Sequence, residues 1–266
     1  MKPAPFRYLR PGSIAEALAM LANEEDARPL AGGQSLLALM NLRLARPSAV
    51  VDLGRLPLRF IDEHPDGLRI GALVTHAELE ASPTVRALAP LLAKVARAVG
   101  HLAIRSRGTL GGSLAHADPA AEELAAAMVL DAKLEVRSVR GTRSLRAVDL
   151  AVGPWSTVLQ PDELIIAVSF PPVLAHWGFS EFTRRTGDFA IAGACAVANA
   201  GVLRVIVFGA CPTPHAFTLD TVDPVAAGVA AAANVELIEK EDADWRRALV
   251  AHEVEVAVEA ALEGVL

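Results

Sequence analysis

The sequence has 266 residues, enough for one large domain or two modest ones, and 53% of them are hydrophobic. Charged residues make up 21%, so a sizeable core can form and a largely disordered chain is excluded. Because 25 basic residues stand against 31 acidic ones, the formal charge of -6 gives no chain-wide attraction to nucleic acid or to anionic membranes.

The first fifty residues predict a small unit of alternating helices and strands. Ser13 and Glu16 have the spacing of a capping box, in which a hydroxyl and a carboxylate satisfy backbone N–H groups at a helix start. Good helix formers follow at 17–22. The elements predicted next are a strand at 28–30, a glycine loop at 31–35, a helical segment at 36–42 and a strand at 50–53.

The pattern changes near residue 55, where a second and larger unit is predicted to begin. The turn Pro65-Asp66-Gly67 separates apolar segments at 58–61 and 68–73 and predicts a hairpin, because proline fixes φ and glycine tolerates positive φ. A second capping box begins at Thr75. Further on we predict a helix at 84–99, a second glycine loop at 107–113, a hairpin of 134–139 with 143–146, and a strand at 164–170.

The last third predicts a strand-rich layer closed by a helix. Strand candidates lie at 179–185, 190–199 and 203–208, and the final helix spans 243–262. The whole pattern predicts an α+β fold of two small subdomains followed by this C-terminal layer. The chain start lacks the apolar run of a signal peptide, and the uncharged stretch at 189–203 is shorter than the ~18–20 residues that cross a bilayer. We therefore expect a soluble cytoplasmic protein.

Two glycine loops carry the chemistry that the residues themselves predict. Gly32 and Gly33 lack side chains, so consecutive backbone N–H groups can approach an anion, and Ser35 adds a hydroxyl at a helix start. The second loop repeats these features with Thr109, Gly111, Gly112 and Ser113. Two such loops suit a diphosphate held from both sides, although an ordinary turn remains an alternative for each. Neither loop matches the GxGxxG or GxxxxGK[ST] pattern, which disfavours a Rossmann site and a P-loop.

Longer segments around these loops carry a resemblance to a known family. Residues 31–37 with 40–44, and residues 109–122, closely resemble the first and second FAD loops of the medium subunits of carbon monoxide dehydrogenase and related xanthine dehydrogenase-family molybdenum hydroxylases. The resemblance continues through 179–190 and 209–214, and so extends over almost the whole chain.

The resemblance implies a fold and a set of cofactor contacts. Residues 1–172 would form a two-lobed FAD-binding domain of the vanillyl-alcohol oxidase-like (PCMH) type, with lobes 1–55 and 56–172, and 173–266 would form a smaller α+β C-terminal domain. FAD would lie between the lobes without a covalent bond, because Gln34 stands where covalent flavoproteins of this fold use histidine. No catalytic residue and no metal ligand is implied. The implied contact residues are Leu30, Ala31, Gly32, Gly33, Gln34, Ser35, Leu36, Val99, Thr109, Gly111, Gly112, Ser113, Glu122, Ile165, Asp188 and Phe189.

Three positions depart from the family pattern and leave the flavin potential open. Ser113 stands where asparagine is common, Phe189 where tyrosine is frequent, and Thr183 where some relatives carry lysine. Among the histidines, we expect His64 and His76 to lie at the surface or in a capping turn.

The implied function is that of an electron-transfer subunit, which passes electrons from iron–sulfur clusters through FAD to a quinone, NAD or oxygen. Cys195 and Cys211 are the only cysteines and form no CxxC motif, so this chain alone is not expected to hold a cluster or zinc. An iron–sulfur small subunit and a molybdopterin large subunit are therefore implied as partners, in a heterotrimer or its dimer, with neither nucleic acid nor stable membrane insertion. The alternatives are a stand-alone flavin oxidoreductase and a FAD-fold assembly module without redox activity.

Overall fold

The computed structural model describes residues 2–172, 176–199, 202–219 and 223–263, and the chain begins with a small parallel sheet. Ala17, Leu18 and Leu21 of the first helix are buried in the core beneath it. The sheet has the order β1-β3-β2, and its elements are β1 (Arg7–Leu9), α1 (Ile14–Asn23), β2 (Arg28–Leu30), α2 (Leu36–Asn41) and β3 (Ala49–Asp52).

An antiparallel five-stranded sheet forms the second layer, in the order β4-β5-β10-β6-β7. Its first hairpin is displaced from the prediction: the strand expected at 58–61 spans Ile61–His64 instead, and Leu58 is buried before that strand begins, where its carbonyl accepts a bond from the Leu73 N–H. The strands are β4 (Ile61–His64), β5 (Gly67–Gly71), β6 (Lys133–Ser138), β7 (Gly141–Arg146) and β10 (Leu164–Phe170), and β8 (Ala151–Gly153) with β9 (Ser156–Thr157) forms a separate ribbon after a short 3-10 turn at Ala147–Asp149.

The helices between these strands contribute to the largest core, which they share with one face of the second sheet. Leu68, Ile70 and Val136 of the sheet meet Leu110 and Leu124 of the helices there. The helices are α3 (His76–Ala81), α4 (Pro83–Leu88), α5 (Pro90–Ala98), α6 (Leu102–Arg105), α7 (Leu110–His116) and α8 (Glu122–Val129).

The single helix predicted at 84–99 is wrong, because proline divides it. Ala89 has φ of -143° and ψ of 61°, outside the helical region, and Pro90 begins the next helix. A residue before proline is disfavoured in the α conformation, so the break follows directly from the sequence.

The predicted capping boxes both mark helix starts, with different bonds. At Thr75 the hydroxyl accepts from the Glu78 N–H and the Glu78 carboxylate accepts from the Thr75 N–H, as predicted. Ser13 accepts from the Glu16 N–H, but the Glu16 carboxylate bonds to the N–H of Gly12 instead.

A four-stranded antiparallel sheet and two helices complete the chain. One face of this sheet, with Cys195 and Phe208, joins the largest core, whereas the other packs with Ala194 and Val205 in a separate core closed by helices. The strand predicted at 179–185 begins earlier and ends at Phe182, and the last strand and the helix before the final one were not predicted. The elements are β11 (His176–Phe182), β12 (Ala192–Asn199), β13 (Val202–Phe208), β14 (His215–Leu219), α9 (Pro224–Asn234) and α10 (Ala243–Glu263). None of the helices in the described ranges has the length and apolar character needed to cross a membrane.

Candidate functional site

The first glycine loop joins β2 to α2 and leaves backbone donors free. Gly33 has φ of +75°, a conformation that L side chains rarely adopt. Gln34 folds back, and its Nε2 donates to the Gly32 carbonyl at 3.2 Å. Within the described residues, the N–H groups of Gly33, Gln34 and Ser35 meet no acceptor, and the Ser35 hydroxyl does not cap its helix. Three consecutive free N–H groups are suitable donors for an anionic oxygen.

The second glycine loop, residues 107–113, is only partly a loop: Thr109 caps α7, so Gly111, Gly112 and Ser113 lie in the first turn of that helix rather than in the predicted loop. It also differs from the first loop because its donors are already engaged. The N–H of Gly111 donates to the Ala72 carbonyl at 2.9 Å, and that of Gly112 donates to the Thr109 hydroxyl at 3.1 Å. The loop therefore lies on the segment that joins β5 to α3. It offers no row of free N–H groups, and Gly111 is buried against Ala72, because a Cβ on Gly111 would lie 2.5 Å from the Ala72 Cβ. Gly112 and Ser113 are half-buried.

The two glycine loops are in direct contact. A Cβ on Gly32 would lie 2.0 Å from the Arg107 carbonyl oxygen and 2.8 Å from the Gly108 Cα. A Cβ on Gly112 would lie 3.8 Å from the Cβ of Ala31. Only glycine permits the first of these approaches, so the glycines set the distance between the loops.

An open cleft of about 220 Å³ runs along this contact. Arg59 and Arg107 bring positive charge to it; Arg59 is bonded to Glu78 at 2.8 Å, whereas no described carboxylate lies within 4.0 Å of Arg107. A cation without an acidic partner in an open cleft suits an anionic ligand. The cleft is lined by Ala31, Gly32, Gly54, Leu56, Arg59, Leu73, Thr75, Ser106, Arg107 and Thr109.

Glu122 is a buried acid at the first position of α8. The residue is 7% exposed, and burial raises the pKa of its carboxyl to about 8, with further contributions from the charges of Glu181, Glu123 and Asp118. Burial, followed by the charge of Glu253, also raises the pKa of Glu181 to about 7. Glu122 is therefore largely protonated at neutral pH, and a protonated carboxyl can donate a hydrogen bond as well as accept one.

Four predicted contact residues away from the glycine loops lie outside the cleft lining: Val99, Ile165, Asp188 and Phe189. Val99 is half-buried at the end of α5, and Ile165 is 5% exposed in β10. Asp188 and Phe189 lie in the exposed loop after β11, where Phe189 is 73% exposed. This loop contacts the start of α6, because a Cβ on Gly187 would lie 2.4 Å from the His101 ring. The structure thus brings the two glycine loops together and places 187–189 near the start of α6.

His76 lies in the capping turn of α3, directly after the cap residue Thr75, which is one of the two predicted positions, but it is buried rather than at the surface. His76 is 4% exposed, and its Nδ1 lies 2.5 Å from Oε1 of Glu123, whose side chain is fully buried. A Cβ on Gly108 would lie 2.4 Å from the His76 Nε2, so the ring lies directly under the second glycine loop. Glu123 is 47 positions away, and no local pattern indicates that pairing. His64 is exposed in β4, as expected.

Comparison with known proteins identifies relatives over most of the chain. Residues 4–173 match the model of the FAD binding domain in molybdopterin dehydrogenase. The chain is 45% identical over 206 residues to the nicotine 6-hydroxylase medium subunit of Paenarthrobacter nicotinovorans, covering 77% of this chain and 73% of that one. It is 34% identical to the carbon monoxide dehydrogenase medium chain of Hydrogenophaga pseudoflava, covering 98% of each.

Solved structures agree over the full length. Carbon monoxide dehydrogenase from Hydrogenophaga pseudoflava superposes with a TM-score of 0.92 at 32% identity, covering 99% of each chain. Quinoline 2-oxidoreductase from Pseudomonas putida 86 superposes with a TM-score of 0.93 at 34% identity, again covering 99% of each chain. The predicted α+β architecture is therefore confirmed, and the chain belongs to the family of FAD-binding medium subunits of molybdopterin dehydrogenases.

Proposed function

We propose that this chain holds FAD non-covalently along the contact between its glycine loops and serves as the electron-transfer subunit of a molybdenum hydroxylase. The contact of Gly32 with Arg107 and Gly108, beside the free N–H groups of the first loop, is the observation that carries the proposal. Bound FAD supplies two-electron storage and can exchange electrons singly with iron–sulfur clusters.

The residues present fit a dinucleotide diphosphate. Three free N–H groups at 33–35 can donate to phosphate oxygens, and the absence of a side chain at Gly112, where a Cβ would lie 3.8 Å from the Ala31 Cβ, permits close approach from the other side. Arg107 adds a positive charge at the cleft. Gln34 has no nucleophilic ring nitrogen, so the proposed binding is dissociable.

The proposed contact set extends beyond the loops, on the strength of the resemblance. From the first loop it takes Leu30, Ala31, Gly32, Gly33, Gln34, Ser35 and Leu36, from the second Thr109, Gly111, Gly112 and Ser113, and from elsewhere Val99, Glu122, Ile165, Asp188 and Phe189. Glu122 is protonated at neutral pH and would offer a hydrogen-bond donor to a flavin beside it. Thr183 and Phe189 would lower the charge and remove a hydroxyl compared with relatives that carry lysine and tyrosine there.

The proposed division of the chain is 1–172 for FAD binding, with lobes at 1–55 and 56–172, and 173–266 for the C-terminal domain. The proposed partners are an iron–sulfur small subunit and a molybdopterin large subunit, in a heterotrimer or its dimer. Several relatives are named as subunits of larger enzymes, among them the 6-hydroxypseudooxynicotine dehydrogenase complex, which supports this assignment. Electrons would leave to an acceptor such as a quinone, NAD or oxygen.

Copurification and flavin analysis test this function. The native complex should contain FAD that acid releases, and the flavin should be reduced when the hydroxylase substrate is added. A matched pair of variants locates the site: Gly112→Ala places a Cβ 2.8 Å from the Thr109 hydroxyl, whereas Gly153→Ala meets nothing closer than 3.8 Å. We expect Gly112→Ala to lower FAD content and Gly153→Ala to leave it unchanged. Equal, full FAD content in both variants would contradict the proposed loop site.

A further inference from the structure

We propose that the buried His76–Glu123 pair is a positioning element that fixes the second glycine loop against the first and thereby sets the affinity for FAD. The inference rests on the proposed function, and it assigns to two residues outside the cleft lining a role in holding the loops.

The pair joins two helices of the large core to each other. His76 begins α3, Glu123 is the second residue of α8, and the two side chains are 6% and 0% exposed. The Nδ1 to Oε1 distance of 2.5 Å places the imidazole and the carboxyl in direct hydrogen-bond contact. Glu123 of α8 therefore fixes the position of the His76 imidazole ring.

His76 in turn holds Gly108 from two directions, with its backbone and with its ring. The His76 backbone N–H donates to the Gly108 carbonyl at 3.1 Å. The ring occupies the space where a Gly108 side chain would lie, since a Cβ there would be 2.4 Å from Nε2 and 2.6 Å from Cδ2. A shift of the ring would therefore move the loop backbone.

Gly108 in turn packs against the first glycine loop. A Cβ on Gly32 would lie 2.8 Å from the Gly108 Cα and 2.0 Å from the Arg107 carbonyl oxygen, so the two backbones are packed without intervening side chains. A continuous set of contacts thus leads from Glu123 through His76 and Gly108 to Gly32.

The energetics favour positioning over general stabilisation. Replacing a buried polar pair by well-packed apolar residues is often neutral or stabilising, so such a pair is weak evidence for stability. This pair also carries a cost in folding free energy, because Oε2 of Glu123 is buried and has no hydrogen-bond partner within the described chain. What the pair provides instead is a fixed direction for the ring under Gly108.

The test compares FAD dissociation constants with thermal stability in a set of variants. Glu123→Ala removes the acceptor, and Glu123→Gln keeps an oxygen for the imidazole. Glu253→Ala is the matched control, because Glu253 is also buried, at 4% exposure, and accepts a bond from Ser180 at 2.5 Å in the C-terminal part. His76→Asn keeps a donor near the Nδ1 position and removes the ring edge at Gly108.

We expect Glu123→Ala and His76→Asn to weaken FAD binding about tenfold or more, measured well below each melting temperature. Glu123→Gln should restore affinity to within about threefold of wild type, and Glu253→Ala should leave it unchanged despite a lower melting temperature. If Glu123→Ala does not fold, the FAD dissociation constant of His76→Asn decides the test. Wild-type affinity in His76→Asn, or an equal loss of affinity in Glu253→Ala, would overturn this inference alone. Failure of the wild-type complex to hold FAD would instead overturn the proposed function.

Discussion

Adding one methyl group at Gly32 should separate the two glycine loops. The Cβ of Gly32→Ala would begin 2.0 Å from the Arg107 carbonyl oxygen, whereas ordinary contact begins at 3.4 Å. The loops must therefore move apart by about 1.4 Å, a shift that no rotation of a flexible side chain can absorb because the obstructing atoms are backbone. Overpacking of this kind costs about 1–3 kcal/mol of stability.

The larger effect of this substitution should be on FAD. Hydrogen bonds to charged groups contribute about 1.5–3 kcal/mol each, so misplacing one N–H donor should raise the FAD dissociation constant about tenfold or more. Fluorescence titration of FAD against Gly32→Ala and wild type measures this, with circular dichroism to show that the variant is folded. Gly12→Ala is the control, since its Cβ would come no closer than 3.6 Å to another group. A folded Gly32→Ala protein that binds FAD like wild type would show that the distance between the loops does not set FAD affinity.

Three further changes have expected outcomes. The pKa of the Glu122 carboxyl is raised in the folded state from 4.5 to about 8. The folded state therefore keeps the full stability that the protonated carboxyl contributes below pH 4.5 and loses it as the pH rises through 8. In the FAD-free chain, Glu122→Gln should therefore gain stability relative to wild type between pH 5 and 8, by a few kcal/mol in urea unfolding; a difference independent of pH would contradict this. Thr109→Ala removes the acceptor for the Gly112 N–H and should lower the free energy of unfolding by about 0.5–2 kcal/mol. Thr109→Ser keeps a hydroxyl and should retain most of that stability, so its melting temperature should lie closer to wild type, and equal melting temperatures for the two variants would contradict this. Phe208→Ala empties a fully buried position stacked on Phe179 and should cost about 3–5 kcal/mol in urea unfolding, and a cost below 1 kcal/mol would show that the core has been described wrongly.

Local signals predicted most of the fold. The capping residues at Ser13 and Thr75 marked helix starts, and the apolar run at Leu164–Phe170 marked a central strand. Pro90 contained the signal for the helix break, but the spacing of apolar residues on both sides concealed it. The strand His215–Leu219 is short and only partly buried, so its existence depends on pairing with β13 rather than on its own pattern.

The candidate site was predictable as two loops but not as one surface. Glycine content indicated where backbone can approach a ligand, and the resemblance indicated which ligand. The free donors of 33–35 could not be distinguished from the engaged donor of Gly111, because its acceptor, the Ala72 carbonyl, comes from a remote segment. The burial of His76 against Glu123 is a tertiary contact in the same sense.

The flavin content of the wild-type chain, purified both alone and with its copurifying subunits, tests the proposed FAD site most directly. We expect one FAD per chain in the complex, released by acid, with the released flavin unmodified. Absence of extractable FAD from a folded, intact complex, or flavin that stays attached to the denatured chain, would contradict a dissociable FAD site between the two glycine loops.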